Sequence, residues 1–133
     1  MNRIKFAQAL VNNGCTSYAT VNSDLTKSLD LPRIRLNTPR RLDGVIRDLG
    51  WITHATYFDL DVHGHQQSRV FAYIVDHQED EMILGDAWMK HVDGHYSARK
   101  GYLDIYGPGR EHTRCWNRAD RTIGPIGAKM LRM

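Results

Sequence analysis

Apolar and polar residues alternate along much of the chain, and a period of two residues predicts β-strands buried on one face. The clearest case is residues 52–62, where alternate positions, among them Phe58 and Leu60, form an apolar face. His63-Gly64-His65 then predicts a turn, and the nearly continuous apolar run at residues 69–75 predicts a central strand. Shorter strands are predicted at residues 4–11, 18–21, 33–36, 82–84, 93–97 and 100–106. The pattern therefore predicts an all-β fold.

Two short helices are predicted between the strands. Residues 24–29 follow Asn22 and Ser23, and either side chain can cap the helix N-terminus. A second helix is predicted at residues 86–91, where an aspartate in the first turn favours the helix dipole. Loops are predicted at residues 37–39 and 76–81.

The composition is ordinary for a globular protein, since 41% of the 133 residues are hydrophobic and 25% are charged. A chain of this length forms one domain with a single core. No apolar run approaches the ~20 residues that cross a bilayer, and the first twenty residues lack the apolar segment of a signal peptide. The cysteines are Cys15 and Cys115, so we expect free thiols and an intracellular protein.

A boundary is predicted at Gly107-Pro108-Gly109, which divides the chain into a body at residues 1–106 and a basic extension at residues 107–133. The extension carries six basic and two acidic residues, its apolar content is thin and no period is sustained. We expect it to pack on the body or to be partly disordered. Its charge, like the net charge of +3, is interpreted as a solvated surface rather than a nucleic-acid contact.

One stretch near the N-terminus combines an apolar strand with a tight turn, Ala9-Leu10-Val11 followed by Asn12-Asn13-Gly14. Both Asn13 and Gly14 tolerate positive φ, so the dipeptide alone predicts an ordinary hairpin turn. About seventy residues later, Met82-Ile83-Leu84-Gly85 forms a short apolar run that ends in glycine and leads into the second helix.

Together these two stretches resemble the signatures of the retropepsins, the dimeric aspartic proteases of retroviruses and LTR retroelements. The family pattern is an apolar run, then Asp-Thr/Ser-Gly with a small residue and Thr or Ser, and far downstream two apolar residues and Gly before a short helix. Gly14-Cys15-Thr16 matches the exit from the first signature. Trp88-Met89, Leu29-Asp30-Leu31-Pro32 and the strand, hairpin and strand of residues 52–75 resemble the gypsy-type branch. The resemblance covers residues 4–105.

The resemblance implies a closed retropepsin-like β-barrel with one or two short helices, completed as a C2 homodimer in which each subunit contributes one turn. It places Asn12 at the position of the catalytic aspartate. The implied substrate-binding residues are Gly14, Asp43, Gly44, Val45 and Ile83. Three of them lie in a hairpin at residues 40–51 that would close over the substrate. Gly44 would give the tip of this hairpin its freedom, and Gly50 is a second candidate for the tip. The alternative is an ordinary surface hairpin.

Asn12 is the departure that decides the expected activity. Peptide hydrolysis in this family needs a water activated between two carboxylates that share a proton. A carboxamide has no titratable proton near neutral pH and cannot act as a general base. Losing such a group costs roughly four or more orders of magnitude in rate. The resemblance therefore implies an aspartic endopeptidase of polyproteins, in the cytoplasm or a virus-like particle, whose present form binds peptides with negligible turnover.

Two explanations for Asn12 stay open. One is a deliberate replacement of aspartate that stops self-digestion or traps a substrate, which the otherwise intact pattern favours. The other is a natural inactive relative retained for binding or assembly. Two further classes of function also stay open: a non-catalytic dimeric module that holds an extended peptide by strand addition, and a nucleic-acid-binding β-barrel that uses the Arg-rich tail.

No metal or cofactor is predicted, because zinc sites need three or four converging ligands. Two pairs of histidines lie close in sequence, His63 with His65 and His91 with His95. Asp59 and Asp61 share one strand face and are interpreted as solvent-facing carboxylates. Cys15 is expected to be a small buried hydrophobe, since no neighbouring cation or base would lower its pKa.

Overall fold

The chain folds, in a computed structural model, mainly into β-strands with two short helices. The structure describes residues 3–41, 50–107, 112–116 and 126–132. The strands within these ranges are β1 (Ile4–Asn12), β2 (Ala19–Asn22), β3 (Ile34–Arg40), β4 (Ile52–Val62), β5 (His65–Val75), β6 (Met82–Gly85), β7 (Gly94–Ser97), β8 (Tyr102–Ile105), β9 (Thr113–Trp116) and β10 (Ile126–Leu131). The helices are α1 (Ser23–Ser28) and α2 (Asp86–His91). The prediction of an all-β fold with short helices is therefore confirmed.

Seven strands form one sheet in the order β10-β1-β6-β2-β5-β4-β3, and β10 also pairs with β4. The first half of β4 pairs with β3, and its second half pairs with β10. Following the pairings from β10 through β1, β6, β2, β5 and β4 therefore leads back to β10. β3 lies outside this circuit as an additional edge strand.

The two longest strands, β4 and β5, form an antiparallel hairpin whose turn is His63-Gly64. Both turn residues have positive φ, at 52° and 93°, as a two-residue hairpin loop requires. Phe58 and Leu60 on β4 are buried, as the alternation predicts. β5 pairs with β4 on one side and β2 on the other, so its predicted central position is confirmed.

The helices form where their sequence signals lie. The side chain of Asn22 caps α1 by accepting a hydrogen bond from the backbone N–H of Leu25 at 2.8 Å. Leu25 and Leu29 turn inward and are buried in the core. α2 begins directly after Gly85, and its Trp88 is fully buried.

Three further strands form a small second sheet in the order β7-β8-β9. Its inner face carries Leu103, Ile105 and Cys115, all in the core cluster. Burial raises the pKa of the Cys115 thiol to about 12, so this thiol is neutral and inert. Cys15 is also buried and unbridged, as predicted.

The segment at residues 107–133, expected to be a basic extension, contributes strands to both sheets. β9 pairs with β8, and β10 lies between β1 and β4. On β10 the side chains of Ile126, Ala128 and Met130 are buried. The described parts of this segment therefore belong to the sheets and the core.

The prediction of a loop at residues 37–39 is wrong, because these residues lie inside β3. β3 is an edge strand with a register shift between Arg35 and Arg40. An edge strand accepts Pro39 because its outer side needs no ladder partner. The predicted hairpin tip, with Asp43, Gly44 and Val45, lies outside the described residues.

Candidate functional site

The turn after β1 is fixed by the side chain of Asn12. The backbone N–H of Gly14 donates to Asn12 Oδ1 at 2.9 Å, and the backbone N–H of Cys15 donates to the Asn12 carbonyl at 3.1 Å. An asparagine side chain that bonds two residues ahead makes a turn of its own. Asn13 and Gly14 are not among the residues with positive φ. The interpretation of this dipeptide as a hairpin turn with positive φ is therefore wrong.

β6 lies between the two strands that this turn connects. It runs parallel to β1, with Asn12 in register with Gly85, and antiparallel to β2, with Ala19 in register with Leu84. The two sequence stretches that carry the resemblance are thus adjacent in space. A β1–turn–β2 segment with a later strand inserted between its arms cannot form from local contacts alone.

Gly85 is the position where the backbones meet most closely. Its N–H donates to the Tyr18 carbonyl at 2.9 Å, and the next N–H, from Asp86, donates to the Cys15 carbonyl at 2.8 Å. A β-carbon at Gly85 would overlap the Ser17 carbonyl oxygen and would lie 2.8 Å from the Cys15 carbonyl oxygen. Glycine is required here because any side chain would push the turn away from β6.

A groove of about 620 Å³ opens on the β2 side of the turn. We call this feature the groove; its lining residues are Thr16, Ser17, Tyr18, Ala19, Pro39, Arg40, Arg41, Trp51, Phe71 and Tyr73. Trp51 and Phe71 are 62% and 44% exposed, which is high for large apolar side chains. The groove combines aromatic surface, two arginines and the backbone of the chain leaving the turn.

The edges of the groove flank the segment predicted to close over a substrate. Arg41 and Trp51 stand on either side of residues 42–50, and the Arg41 guanidinium carbon lies 5.2 Å from the Trp51 ring centroid. A cation–π contact of this kind stabilises the approach of Arg41 to Trp51. The predicted binding residues Asp43, Gly44 and Val45 lie between Arg41 and Trp51 in the sequence, at positions that the structure does not describe.

The structure brings together some of the predicted site residues and separates others. Asn12 and Gly14 lie in the turn, and Gly14 is exposed. Ile83 is buried on β6, in register with Leu10 and Thr20, and does not line the groove.

Sequence reasoning missed the aromatic wall of the groove. Phe71 and Tyr73 lie on β5, two residues apart on the face opposite to Val70, Ala72 and Ile74, and their rings meet edge to face at 5.7 Å. The run at residues 69–75 was nearly continuous in apolar character, which hid this second face. The signal that could have revealed the aromatic wall is the alternation of aromatic and aliphatic side chains along this strand.

A chain of polar side chains runs from the groove to the end of α2. Gln67 Nε2 donates to the Tyr18 hydroxyl at 2.7 Å, and that hydroxyl lies 2.6 Å from His91 Nδ1. Trp88 Nε1 donates to Gln67 Oε1 at 2.8 Å. Partial burial raises the pKa of the Tyr18 hydroxyl. The Tyr18 hydroxyl therefore links Gln67 to His91 through two hydrogen bonds.

The other polar residues singled out in the sequence make local contacts. Asp61 Oδ1 accepts from the backbone N–H of Gly64 at 2.8 Å, and Asp59 Oδ1 accepts from that of Arg69 at 3.1 Å. His95 Nε2 lies 2.8 Å from Asp93 Oδ1. Across the described ranges, no three His, Cys, Asp or Glu side chains group as metal ligands would.

The chemistry available at the turn follows from these groups. The Asn12 carboxamide can donate and accept hydrogen bonds but cannot exchange a proton with a substrate near neutral pH. The carboxylate of Asp86, which follows Gly85, is 3.1 Å from Lys90 Nζ and belongs to α2. As it stands, the turn offers hydrogen-bond donors and acceptors, and its carboxamide cannot provide general acid–base catalysis.

No protein-family model matches the sequence, and no curated protein matches it either. Among the described residues, no helix has the length and apolar character needed to cross a membrane.

Proposed function

We propose that this chain is one protomer of a retropepsin-like aspartic endopeptidase of the retroelement type, in a form made inactive by Asn12. In this proposal the circular strand pairing is a closed barrel of that family, and two protomers form a C2 homodimer around their turns. The substrate is an extended segment of a polyprotein inside the cell, in the cytoplasm or a virus-like particle. The groove holds this segment beside the turn.

The observation that supports the proposal most is the register of Asn12 with Gly85. The two family signatures lie 73 positions apart in the chain, and the hydrogen bonds of β1 and β6 place them side by side. Accidental likeness in two short motifs gives no reason for them to be neighbours. The groove next to the turn, with its exposed aromatic side chains, supplies the surface on which a peptide would lie.

A homodimer is also supported by the outer face of β1. Ile4 and Phe6 are 46% and 72% exposed, and they alternate with the buried Ala7 and Ala9 along the strand that leads to the turn. Exposed apolar side chains on a strand favour burial against another chain. In the proposed dimer, each turn then stands close to its symmetry mate.

In the active form, an aspartate at position 12 of each protomer would share one proton with its mate. One carboxylate takes a proton from the attacking water, and the other donates a proton to the peptide carbonyl oxygen. Asparagine has nearly the shape of aspartate, and the bond from Gly14 N–H to Oδ1 is available to either. We therefore expect the fold and the peptide groove to be the same in both forms.

The test is the variant Asn12→Asp, with Asn13→Asp as the matched control on the same turn. Asn12→Asp is expected to cleave a peptide library at mildly acidic pH, with inhibition by pepstatin and a rate roughly four or more orders of magnitude above the parent chain. Asn13→Asp adds the same charge one residue away and is expected to stay inactive. Equal activity in the two variants, or none in Asn12→Asp, contradicts the endopeptidase assignment.

The alternative is a non-catalytic dimeric module that binds an extended peptide by strand addition. The edge strand β3, which ends at the groove, favours this alternative because none of the described strands pairs with its outer side. Peptide binding by the parent chain, together with no cleavage by Asn12→Asp, would select it. Sedimentation velocity on the parent chain tests the dimer that both hypotheses require.

A further inference from the structure

The outer face of the small sheet carries a continuous row of planar side chains. On β8, Leu103 and Ile105 point into the core. Tyr102 and the largely buried Asp104 alternate with them on the other face, and Tyr106 directly follows the strand. The register of β8 with β9 places Trp116 opposite Tyr102 and Arg114 opposite Asp104. We call this set the aromatic strip; it consists of Trp116, Tyr102, Arg114, Asp104, His112 and Tyr106.

The planar groups of the aromatic strip contact one another in sequence across the sheet. The Trp116 and Tyr102 rings meet edge to face at 5.1 Å, and the Arg114 guanidinium carbon lies 3.9 Å from the Tyr102 ring centroid. At the other end, the rings of Tyr106 and His112 are stacked, with centroids 4.7 Å apart and an interplanar angle of 8°. The strip is therefore an ordered surface of flat groups.

Asp104 joins the two halves of the aromatic strip. Its carboxylate accepts bonds from Arg114 Nε at 2.8 Å and Arg114 Nη2 at 3.1 Å, and it lies 2.8 Å from His112 Nε2. The bidentate bond from Arg114 is the main reason why the pKa of Asp104 falls to about 2. Arg114 and His112 are thus held in fixed planes, since a paired guanidinium and imidazole lose their rotational freedom.

Two exposed cations lie beside the aromatic strip. Among the described residues, Asp104 is paired with Arg114 and His112, and Asp93 with His95. Arg99 and Lys100 lie exposed in the turn between β7 and β8, beside the row that holds Tyr102 and Trp116. Within the described part of the chain, neither has a carboxylate partner.

We propose that the aromatic strip binds single-stranded nucleic acid, with bases stacked on Trp116 and Tyr106 and phosphates near Arg99 and Lys100. Flat, solvent-exposed aromatic side chains on an open sheet are a common platform for unpaired bases. Trp116 and Tyr106 are 55% and 43% exposed, so each still presents ring surface after its contacts within the sheet. The proposal is independent of the protease assignment and uses a different surface from the groove.

Other occupants fit this surface less well. A sugar-binding face needs free carboxylate or amide groups to bond the hydroxyls, and the Asp104 oxygens are already engaged. An acidic peptide would use Arg99 and Lys100 but would gain little from the exposed rings. Cross-strand stacking that only stabilises the sheet does not need cations at its edge.

The test is fluorescence anisotropy of a fluorescein-labelled, mixed-sequence single-stranded 12-mer with the full chain, as RNA and as DNA. Trp116→Ala and Tyr106→Ala are each expected to weaken binding roughly 5- to 150-fold, the range found for the loss of one stacked base. Trp51→Ala removes an equally exposed tryptophan from the groove and is the matched control; it is expected to change the affinity less than twofold. Trp116→Phe is expected to retain most of the affinity.

The charge contribution has its own variant. Two phosphate contacts predict that affinity falls roughly sevenfold between 50 and 200 mM salt, and that Arg99→Gln combined with Lys100→Gln abolishes most of this dependence. Circular dichroism identifies any variant that fails to fold, and Tyr106→Ala then carries the test in place of Trp116→Ala.

Several results would overturn the proposal. One is the absence of binding at 100-fold excess of the chain over the probe, with the chain at about 100 μM, a concentration at the weak limit of the Kd range of non-specific binding. Others are equal loss of affinity in Trp51→Ala, or equally tight binding of the annealed duplex. Tighter binding of a polyglutamate peptide, with loss on Trp116→Ala, would assign the strip to acidic peptides instead.

Discussion

The groove and the aromatic strip are built from similar side chains, aromatic rings beside arginines, but they differ in how they are assembled. The groove takes its walls from four distant segments: the chain leaving the turn, the end of β3, Trp51 and β5. The aromatic strip comes from two neighbouring strands and one central carboxylate. The groove therefore depends on the backbone packing of Gly85 behind its Ser17 and Tyr18 wall, whereas the strip depends on one ion-paired residue.

The largest effect is expected from Gly85→Ala, because Gly85 packs behind the groove and not behind the aromatic strip. The added β-carbon would overlap the Ser17 carbonyl oxygen, so the turn must move away from β6. We expect a loss of stability of about 3 kcal/mol or more, since neither partner is a flexible side-chain end. Peptide binding in the groove should fall with it, and thermal unfolding with a peptide titration measures both.

Gly64→Ala is the matched control for this substitution. Gly64 has a φ of +93°, and nothing lies within 4 Å of an added β-carbon. The cost is therefore only that of the left-handed backbone, about 1 to 2 kcal/mol. If Gly64→Ala proved as damaging as Gly85→Ala, close packing against the turn would not be the reason for glycine at position 85.

The two regions also differ in how far the sequence predicts them. The β4–β5 hairpin, the cap of α1 and the buried face of β4 follow from local signals, namely alternation, His63-Gly64 and Asn22. The inserted position of β6 did not follow from any period. Only the resemblance linked the two stretches, because the pairing of Asn12 with Gly85 is a contact between residues far apart in the chain.

The C-terminal strand shows why local patterns fail. Ile126, Ala128 and Met130 do alternate with Gly127 and Lys129, but a period of two over five residues with glycine and alanine is a weak signal. Its partners β1 and β4 supply the burial that the pattern alone does not indicate. The aromatic strip was missed for the same reason, since Asp104 and Arg114 meet only through the register of β8 with β9.

A smaller effect is expected from Asp104→Asn, which loosens the strip and leaves the groove intact. The pKa of Asp104 is about 2 in the folded chain, against an ordinary value of 3.8. Because the folded pKa is the lower one, the charged carboxylate favours folding above about pH 4, and this contribution is lost as the pH falls from about 4 to about 2. At pH 7 we expect the unfolding midpoint of the variant to drop by roughly 3 to 6 °C.

The pH profile distinguishes this ion-paired carboxylate from an ordinary surface charge. The difference between Asp104→Asn and the parent chain should shrink below about pH 4 and vanish only once the pH has fallen below about 2. Asp93→Asn is the control, because its contact with His95 is largely exposed and such pairs contribute little. A difference for Asp104→Asn that stayed constant between pH 7 and pH 2 would mean that its charge is not what stabilises the sheet.

The smallest effect is expected from removing one hydroxyl on each side of the comparison. The Tyr18 hydroxyl accepts from Gln67 and lies 2.6 Å from His91 Nδ1, so Tyr18→Phe leaves the partly buried Gln67 amide one acceptor short. One such loss costs about 1 kcal/mol.

For the Tyr106 hydroxyl the described residues offer no hydrogen-bond partner, and Tyr106→Phe keeps its ring stacked on His112. We therefore expect thermal unfolding to detect Tyr18→Phe and not Tyr106→Phe. Equal shifts in the two variants would show that the polar chain behind the groove contributes no more to stability than an exposed hydroxyl on the strip.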